Sequence, residues 1–213
     1  MSNATRNAWD GLMVQLGVAP DRSKGLWVSL LAAYSEPHRH YHALSHIEAL
    51  VTAFAPMRAR FEEVDTTLLA LFYHDIVYDP ARSDNEEQSA QRLAADFPDS
   101  GRAQGHILAT RHHAPTEDSD TNLVLDLDMG ILGAPWPAYC AYAEGVFREY
   151  EPVYGREAYA RGRAELFLKP TLAKPSIFLT PDFAIRENQA RQNLQAELDR
   201  WTTGSFASAQ KPV

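Results

Sequence analysis

All eight histidines fall between His38 and His113, and the final hundred residues contain none. Neutral imidazole is a common ligand for transition metals, so a His-rich half that also carries aspartates invites a metal hypothesis. The first cluster is Tyr41-His42-Ala43-Leu44-Ser45-His46. On a helix, His42 and His46 stand one turn apart on the same face, and both can point into one site. The second is His74-Asp75, which follows a dense apolar run ending at Tyr73. Burying an ionised carboxylate at the end of a core element is costly unless something pairs with it, and a divalent cation is one such partner. A helix cap on backbone amides is the other. The third is Leu125-Asp126-Leu127-Asp128-Met129-Gly130, an acidic pair in an apolar segment. Two residues apart, Asp126 and Asp128 cannot share a helical face, and the pattern alone does not choose between them.

Other residues are candidates for supporting roles. His106, Thr110 and His113 share a helical face at i, i+4 and i+7. His113 is therefore a candidate second-metal ligand or phosphate contact, with His112 as the alternative and a capped helix end as the plain one. Glu86 is a candidate for orienting water or holding a second metal, against an ordinary solvated carboxylate. Arg163 and Arg191 are candidates for neutralising a phosphate, against ordinary ion pairs. Tyr41 and Tyr73 read as wall and core.

These side chains need elements to carry them, and the apolar periodicity is helical almost throughout. Trp9, Leu12, Met13 and Leu16 form one stripe before Gly17, and Leu26 to Tyr34 form a second. A His-rich loop around Pro37 leads to a helix near Tyr41 to Phe54. Further helices are expected over Thr66 to Tyr78, after a cap at Asp84 or Asn85, and over Arg102 to His113. Another follows the polar loop Asp118 to Asn122, running Leu123 to Leu132. Stripes at Tyr139–Tyr150 and Tyr159–Leu168 precede a segment broken by Pro170, Pro175 and Pro181, and the last helix spans Phe183 to Trp201. The expected architecture is one all-α domain over 1–201, a bundle of roughly eight to ten helices, with a polar tail from 202 to 213.

Composition narrows the partners. Lys and Arg total 20 against 28 Asp and Glu, a net charge of -8. A surface that acidic argues against general nucleic-acid binding, while leaving room for a small phosphorylated ligand in a local pocket. Cys140 is the single cysteine, so there is no disulfide framework and no Cys-based zinc site. Met1 to Asp10 lack a signal-peptide pattern, and the longest apolar stretch is too short to span a bilayer, so a cytoplasmic protein without membrane attachment is expected.

In order, His46, His74-Asp75 and Asp128 resemble the H…HD…D signature of the HD-domain metal-dependent phosphohydrolases. Tyr41-His42-x-x-x-His46 is also similar to the Tyr-His-Asn-x-x-His element of the cyclic-nucleotide phosphodiesterase branch, departing from it at Ala43. The segments YHALSHIEAL, FYHDIVYDP, DNEEQSA, ILATRHH, LDLDMGILG, FREY, GR and RENQARQNL resemble a bacterial group of predicted HD-superfamily phosphohydrolases, over roughly residues 25 to 200. The resemblance implies an HD-like all-α fold with His46, His74, Asp75 and Asp128 as metal ligands. Asp128 is preferred to Asp126 because the family aspartate precedes an apolar and then a small residue. His42 would protonate the leaving oxygen, and Asp75 would bridge to a second metal or to the nucleophilic water.

Such a ligand set suits Mn, Fe, Co, Ni or Zn, with Mg at a second, water-rich position. The expected activity is metal-dependent hydrolysis of a phosphate ester in a small compound, nucleotides included. The alternatives are a non-catalytic, metal-stabilised helical binding protein and a di-iron oxygenase of the same fold.

Overall fold

The structure, a computed structural model, describes residues 3–203. It is all-α, with no strand among the described residues; with residues 156–173 taken as one continuous helix there are ten helices. None of them is long and apolar enough to cross a membrane. The chain groups into two compact units, Met1–Asp128 and Met129–Val213, a division that the composition gives no sign of.

The first unit comprises α1 (Asn3–Gln15), α2 (Pro20–Ala33), α3 (Leu44–Phe54), α4 (Val64–Tyr73), α5 (Asn85–Asp96), α6 (Gly101–Thr110) and α7 (Ser119–Met129). Its centre is α4, where every residue from Thr67 to Tyr73 is buried. An element apolar on all sides must be covered on all sides, and α1, α3, α5 and α6 pack around it. Trp9 meets Phe72 edge-on with centroids 5.2 Å apart, and the Trp9 indole N–H donates to Ser23 Oγ at 3.2 Å. The packing thus buries both rings while satisfying the one polar handle.

Two helix ends differ from the sequence expectation, and both bear on the histidines. α3 starts at Leu44 rather than near Tyr41, because Ala43 is extended (φ -104°, ψ -177°) and the His42 carbonyl is held by Arg39 at 3.0 Å. α4 stops at Tyr73, short of Tyr78, because the carbonyls of Asp75 and Ile76 accept from Arg39 and both polar backbone groups of Val77 bond to Ser89 Oγ. At α7 the Asp118 carboxylate accepts from the Thr121 amide at 2.9 Å, an N-cap bond, so the expected polar loop is mostly the helix's first turn.

The second unit holds a 3-10 turn (Gly130–Gly133), α8 (Trp136–Tyr154), the helical run 156–173 and the final helix Glu187–Thr203. Pro170 does not break the run as expected. It follows a π-helical stretch, Arg163–Leu168, where the wider turn removes the demand for the amide that proline lacks. Gly133 is needed where it stands: a Cβ there would lie 2.6 Å from Arg186 Cβ. The final helix takes in Thr202 and Thr203 of the expected tail; 204–213 lie outside the described residues.

Candidate metal centre

Three helix ends in the first unit bring four side chains together: His46, His74 and Asp75 form one group of donors within 4.8 Å of one another, and Asp128 adjoins it through the two histidines. His46 sits in the first turn of α3, His74 caps the end of α4 with Asp75 in the turn beyond it, and Asp128 is next to last in α7. The Nε2 atoms of His46 and His74 are 3.1 Å apart. Asp75 Oδ2 is 3.0 Å from His74 Nε2 and 3.8 Å from His46 Nε2. Asp128 Oδ1 is 3.2 Å from His46 Nε2 and 3.7 Å from His74 Nε2. The two imidazoles are 3% exposed and the two carboxylates 17% and 18%, so the group is buried on its histidine side and open on its acidic side.

The orientation of His74 is fixed from behind. Its Nδ1 lies 3.0 Å from the Leu71 carbonyl, which only accepts, so Nδ1 carries the hydrogen. In the neutral ring Nε2 is then a bare lone pair directed at His46 and the carboxylates, the arrangement expected of a metal-ligating histidine. Burial lowers the His74 pKa, but the Asp75 carboxylate outweighs it and, with Asp128, brings it to about 9. Burial likewise pushes the Asp75 carboxyl up, yet His74 holds it well below the usual carboxylate range. Asp128 is held low against burial by hydrogen bonds from His113 and His46. Two carboxylates kept ionised around two inward imidazole nitrogens form a pocket that favours positive charge. The donor set, two borderline nitrogens and two hard oxygens, fits a divalent transition ion.

The other candidates divide. His42 is not on a helix with His46, since α3 begins two residues later. It still borders the cluster: its ring stacks on Tyr78 with centroids 4.2 Å apart and lies 6.0 Å from the His46 ring. Tyr41 walls the same side, 4.9 Å from His46. His113 reaches the cluster too, its Nε2 2.9 Å from Asp128 Oδ2, although α6 ends at Thr110 and the expected shared face does not extend so far. A left-handed backbone (φ 45) turns it inward, an uncommon conformation for a residue other than glycine. His112 is exposed, and His106 is buried against Thr121 Oγ1 at 2.7 Å. Asp126 is buried as well, at 1% exposed, inside α7.

Glu86 is half-buried in the first turn of α5, and no ion pair or hydrogen bond joins its carboxylate to the cluster, so the structure gives its expected catalytic role no contact. Arg163 corrects a clearer expectation. Inside the second unit its Nε donates to Glu197 at 2.9 Å and its Nη2 to the Tyr142 hydroxyl at 2.9 Å, with the guanidinium over Phe167. With the side chain 7% exposed and its Nε and Nη2 hydrogens committed to Glu197 and Tyr142, the guanidinium is an enclosed ion pair of the second unit and is not presented to a phosphate. Arg191 closes on the carbonyls of Leu172, Lys174 and Pro175.

Sequence reasoning missed the supports. Arg39, Tyr34 and Ser89 all bind the backbone around Asp75, and Asn85 brackets Asp79 through its amide and carbonyl. Ser89 and Asn85 lie in the DNEEQSA segment, which was a usable signal. Arg39 gave none, because the partners that tie it to the site are backbone carbonyls. No protein-family model, curated protein or solved structure matches the chain.

Proposed function

We propose that this chain is a metal-dependent hydrolase of small phosphate esters, nucleotides among them, with His46, His74, Asp75 and Asp128 holding a divalent ion of the Mn, Fe, Co, Ni or Zn kind. The observation that carries this is the convergence of His46, His74 and Asp75 into one ligand group, with Asp128 Oδ1 also 3.2 and 3.7 Å from the two histidine Nε2 atoms. An ion bound there supplies an activated water at neutral pH and positive charge against the phosphoryl oxygens. The protein groups do the rest. His74 is oriented by the Leu71 carbonyl, and His113 holds Asp128 by its second oxygen. Asp75, partly open to solvent, accepts a proton from the attacking water. His42, resting on Tyr78 at the rim, carries the proton that the leaving oxygen takes up.

Replacing His42 by Ala is expected to lower turnover on the order of 100-fold while leaving the metal bound. Steady-state rates paired with elemental analysis check this, and an unchanged rate removes the acid role.

The function is tested by stripping the metal, confirming helicity by circular dichroism, and screening phosphorylated metabolites with Mn, Co, Ni and Mg added back. Phosphate release restored by one of the ions, and absent in Asp128→Ala, is the expected result. Metal binding without any release would favour a structural metal, and that case predicts that chelation melts the helices. The oxygenase alternative has less support, since His106 is turned to Thr121 and His112 to solvent.

A further inference from the structure

We propose that Arg39, together with Tyr34, is the positioning residue of the candidate centre, fixing the direction in which the Asp75 carboxylate meets His46 and His74. The proposal rests on the metal-centre assignment above. Arg39 precedes α3 in a stretch without regular structure, yet its side chain is 0% exposed. A charge is not buried there for packing alone. Its Nη1 donates to the Asp75 carbonyl at 2.6 Å and to the His42 carbonyl at 3.0 Å, its Nη2 to the Ile76 carbonyl at 3.1 Å, and its Nε to Glu36 at 2.9 Å. The guanidinium also lies over the Tyr34 and Tyr78 rings.

Tyr34 completes the grip. Its hydroxyl donates to the Phe72 carbonyl at 3.1 Å and accepts from the Asp75 amide at 3.3 Å. Both polar groups of the Asp75 backbone therefore end on one short segment, residues 34–39. That segment is also tied to α3, because the Leu44 amide donates to the Tyr34 carbonyl at 3.2 Å. So a single strap connects the helix that carries His46, the turn that carries Asp75, and the His42 backbone. The forked geometry explains the residue type: one planar guanidinium spans three carbonyls and a carboxylate, which a lysine ammonium cannot do.

The test uses the full chain with Arg39→Gln, Arg39→Lys and Tyr34→Phe. The last keeps the ring and removes only the hydroxyl, so it carries the test if Arg39→Gln does not fold. Co(II) is titrated against a competing chelator while its visible spectrum is recorded. With the helical signal unchanged, Arg39→Gln is expected to weaken Co(II) binding about 10- to 100-fold, as loss of an outer partner does, and to alter the ligand-field bands. Arg39→Lys should recover part of the affinity.

A second readout needs no metal. In metal-free protein, the imidazole nitrogen resonances of His46 and His74 should move in Arg39→Gln and Tyr34→Phe, while those of His106 stay in place. If wild-type protein fails to bind Co(II), the metal-centre assignment falls, and the nitrogen resonances alone decide on Arg39. Folded variants with wild-type His46 and His74 resonances overturn the positioning role in either case.

Discussion

Protein carrying Asp75→Ala is expected to retain no metal through purification and to bind added Mn or Co at least about 100-fold more weakly, more than the loss of an outer partner costs. Phosphatase turnover should vanish with it. The reason is local. Asp75 Oδ2 is the carboxylate atom closest to His74 Nε2, at 3.0 Å, and it is the main influence that lifts the His74 pKa. Without it the pocket loses half its negative charge. Asp128→Ala should be as severe. Asp126→Asn is the control, because that residue is buried in α7 and is not one of the four proposed donors: its effect should appear in the melting temperature and not in metal content. Elemental analysis and a chelator competition on the three variants check the set. Full metal occupancy in Asp75→Ala would remove it from the ligand set, and a severe Asp126 variant beside a mild Asp128 one would move the ligand by two positions.

The second large effect lies in the other unit and concerns stability. Arg163→Ala is expected to destabilise that unit by about 3–5 kcal/mol, a fall in melting temperature on the order of 10 °C. Its partner Glu197 is 0% exposed and would be left as a buried carboxylate with only Tyr139 and Trp201 as donors. The pH dependence follows with its sign. Burial pushes the Glu197 carboxyl up, but Arg163 outweighs this and holds it below its ordinary value of 4.5. A carboxylate with a depressed folded pKa contributes stability that is complete above the unfolded value and is lost as pH falls through the folded one. Wild-type protein should therefore lose stability on acidification below about 4.5, and Glu197→Gln should lack that part of the slope. Thermal melts from neutral pH downward measure it. An Arg163→Ala protein that melts with wild type would show that the buried pair contributes nothing net.

The contrast between these two sites shows what could be read from residue types and order. The histidine clusters and the His74-Asp75 pair stood out by residue type, but the pattern alone left Asp126 and Asp128 open, and it was the resemblance to an ordered H…HD…D signature that singled out His46, His74, Asp75 and Asp128. The all-α architecture was legible because the 3.6-residue periodicity recurs along the chain. What stayed hidden depends on contacts between residues distant in sequence. Arg39 holds carbonyls, which every residue has, so no pattern of side chains announces it. That hidden contact is also why α3 begins at Leu44 and why His42 approaches the cluster from a loop and not from a helical face. His113 joins the cluster although its helix ends early, because one left-handed residue re-aims it. Nothing in the sequence pairs Arg163 with Glu197, 34 residues on, and only the fold brings them together beside Tyr139 and Tyr142.

The central claim is that His46, His74, Asp75 and Asp128 hold one ion together. An anomalous-scattering map of crystals grown with Co(II) tests it most directly. The account predicts one peak about 2.0–2.3 Å from Nε2 of both histidines and from an oxygen of both aspartates. A peak placed elsewhere, or none at saturating Co(II), would contradict it.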